Sequence, residues 1–128
     1  VKQEYKESEG DPHVKHMRKH MFQELMNQSV AHNVPRATVV VANPTHLAIA
    51  LRYNEASMQA PQITAKGQDS MALRMIEIAK QHHVPVIHNI GLAHSLIDLE
   101  VGFDIPEDLY EAVAEVLNFV YQLAAAEA

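Results

Sequence analysis

Between His13 and Val30 apolar residues return every three or four positions. Met17, Met21, Leu25 and Met26, with Phe22 and Val30, fall at the spacing of one helical face and predict an amphipathic helix. Asn33 and the pre-proline Val34 predict its end before Pro35. Beyond Pro35 the period changes. Residues 38–42 (TVVVA) form a β-branched run typical of a buried strand, and residues 47–53 (LAIALRY) predict a second strand. A loop over 54–61 leads to a short strand at 62–66. Asp69 is then expected to cap a helix through about residue 82, with Met71, Met75, Ile78 and Ala79 at helical spacing. Residues 84–88 predict another strand and 92–99 a short helix. Pro106 is expected to open a last helix with Leu109, Val113, Leu117, Val120 and Ala124 as its inward stripe. Strands alternating with helices predict an α/β fold, a small mixed β-sheet surrounded by helices and preceded by an N-terminal linker helix.

Residues 1–12 (VKQEYKESEGDP) are charged and nearly free of apolar side chains, so this stretch has nothing to bury. The chain has 128 residues and a mass of 14.3 kDa, one domain's worth. Aromatic residues make up only 5%, which leaves the core to aliphatic and Met side chains. The absence of Cys excludes disulfides, thiolate metal sites and Cys nucleophiles. The net charge of −6 argues against general nucleic-acid binding, which needs a basic footprint. That charge is uneven: residues 1–36 carry six basic against five acidic side chains, the remainder four against eleven. No apolar run approaches the ~20 residues of a membrane-spanning helix, and no signal peptide is visible. The chain begins at Val1 rather than Met, as expected of a piece of something longer.

The sharpest local feature is Asn43-Pro44-Thr45-His46, set between two predicted strands. Asn-Pro commonly initiates a turn, and a plain turn is one reading. The other is chemical. The Asn43 amide nitrogen can attack its own backbone carbonyl, close a succinimide and expel the Pro44 nitrogen as an amine. Deamidation, the usual competitor, needs the following backbone N–H, which Pro44 lacks. A succinimide formed here therefore breaks the chain. Holding the groups at attack distance supplies an effective molarity of ~10⁵–10⁸ M, or about 7–11 kcal/mol of barrier. Turn strain, of order 1–3 kcal/mol, adds to that. Thr45 and His46 place a hydroxyl and an imidazole nearby, the latter suited to moving protons near neutral pH.

With VVVA before it and LAIAL after it, this tetrad resembles the autocleavage site of the FlhB/YscU family, the export-switch proteins of type III secretion and flagellar export. The resemblance extends through Ala65-Lys66-Gly67, Ala72-Leu73-Arg74, Val84-Pro85-Val86 and Ala112-Val113-Ala114-Glu115-Val116-Leu117, in the family's order. It implies a juxtamembrane linker and N-terminal helix over residues 1–36 and a compact autocleaving α/β domain over 37–128. It implies the cytoplasmic side of the bacterial inner membrane, following four transmembrane helices, and self-cleavage between Asn43 and Pro44 with both fragments remaining associated. The implied partners are export-apparatus components, a length-sensing ruler protein and secreted substrates. No cofactor or metal is implied. The implied role is single-turnover autocleavage in a switch of substrate specificity rather than enzymatic turnover, the alternative being a non-cleaving scaffold of the same apparatus. Two departures stand out: Gly91 where the family more often has proline, and His83 where a Gly is common. Leu47-Ala48-Ile49 looks more like the virulence-injectisome branch than the flagellar one.

Other constellations read more simply. His16, His20 and Glu24 share a helical stripe but lack a fourth metal ligand. His82-His83 suits a helix C-terminus. His94, Ser95 and Asp98 are sequence neighbours without a nucleophile elbow. Lys15, Arg18, Lys19 and His20 form a basic cluster that is either a solvated face or a contact with anionic membrane. Asp11-Pro12 lacks the carboxamide that cyclisation requires.

Overall fold

A run such as TVVVA is apolar at successive positions because its strand is covered on both faces. The computed structural model describes residues 12–127; the opening segment, Asp11 included, lies outside the described residues. Helix α1 spans Pro12–Asn33 and runs into a 3-10 turn, Val34–Arg36. There follow β1 (Val39–Asn43), β2 (Leu47–Arg52), β3 (Gln62–Gln68), α2 (Ser70–Gln81), β4 (Val86–His88) and α3 (Ile90–Ile97). A second 3-10 turn, Glu107–Leu109, leads into α4 (Tyr110–Glu127). The four strands form one mixed sheet in the order β3-β2-β1-β4. β1 pairs antiparallel with β2 and parallel with β4, while β2 pairs antiparallel with β3. This is the expected α/β class.

Side-chain alternation assigns the faces. Val39 and Val41 join Leu47, Ile49, Leu51 and Ile63 against α3 (Leu92, Ala93, Leu96, Ile97) and α4 (Val113, Val116, Leu117, Val120). Val40, Ala48, Ala50 and Ala65 face the other way, onto Ala72, Met75 and Ala79 of α2 with Val30, Val34 and Val84. Ile63 and Ala65, two apart in one strand, would ordinarily share a face. They do not, because the β2–β3 register shifts between Ala50 and Leu51: Ala50 opposes Ala65, and Leu51 opposes Ile63. Thr64 is the extra residue, and its hydroxyl donates to the Ala50 carbonyl at 3.3 Å. The Lys66 ammonium donates to the carbonyls of Ile97 (2.9 Å) and Leu99 (2.8 Å), fastening the end of α3 to β3.

Several expectations are corrected. The α1 stripe is mostly unburied: Met17, Met21, Phe22 and Leu25 are exposed, Met26 is half-buried and only Val30 of that helix is fully buried, while Phe22 and Met26 border an open cavity against Gly67 and Met71. Asp69 occupies the N-cap position of α2 but makes no side-chain capping hydrogen bond. The final helix begins at Tyr110 rather than Pro106, after the 3-10 turn. Its stripe includes Val116 and stops at Val120; Ala124 is exposed.

His83, the departure noted before the Val-Pro pair, has φ of 59°. The N–H of Val84 donates to the Ala79 carbonyl (2.8 Å) and that of His83 to Lys80 (3.4 Å), the bond pair of a Schellman cap with His83 at its left-handed position. A side chain there costs about 1 kcal/mol relative to Gly. His83→Gly should therefore stabilise the domain by about that amount, less any gain in unfolded-chain entropy, measured as a higher urea midpoint.

Candidate functional site

Asn43 is the last residue of β1 and pairs with Leu47, the first of β2, so Pro44, Thr45 and His46 form the loop between them. Asn43 is half-buried and the three loop residues are exposed. The His46 N–H donates to the Asn43 carbonyl at 3.0 Å, closing a four-residue turn. Thr45 has φ of 69°. Proline at the second position and positive φ at the third is the pattern of a type II turn, where the third residue is normally Gly. A β-branched residue there is a genuine outlier, with a cost of order 1–3 kcal/mol.

The turn cannot relax by sliding, because neighbouring junctions hold both of its arms. On the β1 side, the Asn89 N–H donates to the Ala42 carbonyl at 3.0 Å, and the Asn89 side chain caps α3 by accepting from the Leu92 N–H at 3.1 Å. On the β2 side, the Asp69 N–H donates to the His46 carbonyl at 2.9 Å, and Leu47 is buried immediately after. The strained peptide is thus gripped by a strand-to-helix junction on either flank. That His46 N–H also polarises the carbonyl which cyclisation would attack, with the donor fixed in advance by the fold.

The structure brings Asn43, Pro44, Thr45 and His46 into one tight turn, as the sequence led us to expect. It adds a residue that sequence reasoning assigned elsewhere. Asp69 Oδ1 lies 4.0 Å from His46 Nδ1, with both side chains largely in solvent. No sequence signal marks this neighbour, because the β2–β3 register, bulge included, decides which residue lies opposite His46.

The remaining candidates are dispersed. His20 Nε2 stands 3.6 Å from Glu24 Oε1 on exposed α1. Among the described residues no group of three or more His, Asp or Glu side chains is arranged to hold a metal. The Ser95 hydroxyl donates to the Gly91 carbonyl at 3.2 Å, an ordinary intrahelical bond. Lys15, Arg18 and Lys19 are exposed along α1. No helix among the described residues is long and apolar enough to cross a membrane.

The model of the FlhB HrpN YscU SpaS family matches residues 1–120. The flagellar biosynthetic protein FlhB of Salmonella typhimurium (strain LT2) is 46% identical over 124 residues, covering 96% of this chain and 32% of its own length. The chain thus spans about a third of the curated relatives it matches. The crystal structure of the cytoplasmic domain of FlhB from Shewanella putrefaciens superposes with a TM-score of 0.74 at 33% identity, covering 78% of each chain. A crystal structure of a point mutant of the EscU C-terminal domain gives a TM-score of 0.69 at 38% identity, covering 72% of this chain and 99% of that one.

Proposed function

The chain belongs to the FlhB HrpN YscU SpaS family, and from that premise we propose that it is the cytoplasmic part of an inner-membrane export-apparatus protein that cuts itself once, between Asn43 and Pro44, in the switch of export substrate specificity. The observation that carries this reading is the turn: an Asn-Pro bond beside a β-branched residue at φ 69°, with a backbone N–H already on the carbonyl to be attacked.

In the proposed step the Asn43 side-chain nitrogen adds to the Asn43 carbonyl carbon. The oxygen gains negative charge and is met by the His46 N–H. The amide nitrogen loses a proton, the carbon–nitrogen bond to Pro44 breaks, and the Pro44 nitrogen takes a proton as it leaves. Residues 1–43 then end in a succinimide, which water opens, and residues 44–128 begin with a free proline amine. The imidazole of His46 is the proton carrier, and departure of Pro44 releases the strain at Thr45.

Both fragments should remain together. The first contributes β1, which lies between β2 and β4 of the second. Val30, Val34, Val39, Val40 and Val41 are each at most 1% exposed. Burial at about 1.5–3 kcal/mol per side chain makes their separation cost on the order of 10 kcal/mol. The freed ends then present an altered surface to the partners of this reading: export-apparatus components, the length-sensing ruler protein and secreted substrates.

Lys15, Arg18 and Lys19, exposed beside Met17 and Met21, would meet the anionic membrane at about 1 kcal/mol per cation. Co-sedimentation with phosphatidylserine vesicles, lost when the three are replaced by Ala, tests that contact. The cleavage reading is tested on purified protein. A denaturing gel should resolve two bands with the masses of residues 1–43 and 44–128, while native chromatography gives one peak. A single intact mass after long incubation at neutral pH would leave the scaffold reading in its place.

A further inference from the structure

The geometry points to Asp69 as a positioning residue for His46 in the cleavage step. This inference rests on the autocleavage reading and adds to it a residue from a different part of the chain. Asp69 stands at the start of α2, where the ordinary role of an Asp is to accept hydrogen bonds from the first helical N–H groups. It does not: its side chain makes no capping bond. Its backbone is held at φ 52° and ψ −117°, a mirror-image conformation that favours Gly. A strained residue that gives up its local role persists where the surroundings over-determine it.

Those surroundings are the cleavage turn. The Asp69 N–H donates to the His46 carbonyl at 2.9 Å, joining the two residues backbone to backbone. The carboxylate is thereby carried to 4.0 Å from His46 Nδ1. A modest rotation of either exposed side chain closes that gap to a hydrogen bond, and such contacts often tighten only when the reaction proceeds. A carboxylate on Nδ1–H fixes the tautomer and the ring plane, leaves Nε2 bare to take a proton, and stabilises the imidazolium that results. The arrangement forms only after β2 and β3 pair in their bulged register, so it ties the turn's proton carrier to completed folding of the sheet.

Cleavage is timed from synthesis by labelling the chain in a cell-free translation, stopping translation and following conversion on denaturing gels. Asp69→Asn keeps the side-chain shape and tolerates the backbone conformation while losing the charge. It should slow cleavage about ten-fold, a part of the 10²–10⁴ that proton transfer contributes. Asp69→Glu should restore most of the rate. In a His46→Ala background Asp69→Asn should have no further effect, because the interaction is already gone. An equal slowing in that background would assign Asp69 a purely structural role and overturn the proposal, as would wild-type speed in Asp69→Asn.

A second measurement does not depend on cutting. In the Asn43→Ala chain, ¹⁵N chemical shifts of His46 should show the proton of the neutral ring on Nδ1. Asp69→Asn should return it to the ordinary mixture dominated by Nε2–H. If wild-type chain never cuts, the autocleavage reading fails while this tautomer still reports on the pair. An Nε2–H ring beside an intact Asp69 overturns the pairing itself.

Discussion

Asn43→Ala should yield a chain that stays whole indefinitely and folds much as the wild type does, because position 43 supplies the nucleophile of the proposed cyclisation but contributes little to the core. Its side chain is half-buried at the end of β1, and the carbonyl that accepts from His46 belongs to the backbone, which Ala retains. The expected stability change is therefore within about 1 kcal/mol. The effect on cleavage should be total, since no other group on the turn can close a five-membered ring onto that carbonyl. Asn43→Asp should cut very slowly at neutral pH, because an ionised carboxylate is reluctant to form the anhydride. Intact mass measured over days, with a thermal melt on the same sample, checks both halves. Two fragments from the Ala variant would identify a contaminating protease as the agent and remove the cyclisation argument.

The geometry of the candidate site was half legible in the chain. Asn43-Pro44-Thr45-His46 announced itself because its chemistry lies in consecutive side chains and one missing N–H, and folding only sharpens that. The strain at Thr45 was inferable in kind, as turn strain, but its location was not: φ of 69° at a β-branched residue occurs in a turn whose arms are anchored at Ala42 and His46 by distant parts of the chain. Asp69 was misread because an Asp ahead of a helix usually caps it, and tertiary context claimed this one for other geometry. The strands were legible from their β-branched runs, yet the face that each side chain takes beyond Thr64 was not, since one bulged residue inverts the alternation. The stripe on α1 was legible as a helix, but where it would pack was not, because periodicity reports a face and not its partner. Leu47, Ala48 and Ile49, the residues that suggested a branch of the family, are all buried against α2, α3 or α4, so their identity answers to packing as well as to lineage.

Pro44→Ala tests the leaving group and the turn together, and its expected outcome is a mixture rather than a loss. The ring holds φ near −65°, the value a type II turn wants at its second position, and contributes no N–H. Ala relaxes that restraint, so the Asn43 nitrogen and carbonyl spend less time in attack geometry. A loosening of about 1 Å in such a contact costs on the order of a hundred-fold in rate. The substitution also creates an N–H at position 44, and that nitrogen can now attack the Asn43 side-chain carbonyl. This second ring expels ammonia, keeps the chain whole and opens with water to Asp or isoAsp at position 43. The same Asn43 thus feeds two rings, one that cuts and one that does not, and the ring of Pro44 decides between them. His46→Ala should behave differently, slowing the cut without producing isoAsp, because residue 44 still lacks a nucleophilic nitrogen. Peptide mapping of aged samples separates the three products by mass and retention. Wild-type cutting speed in Pro44→Ala, with no deamidated chain, would mean that neither the fixed φ nor the missing N–H matters, and cyclisation by Asn43 would have to give way to another mechanism.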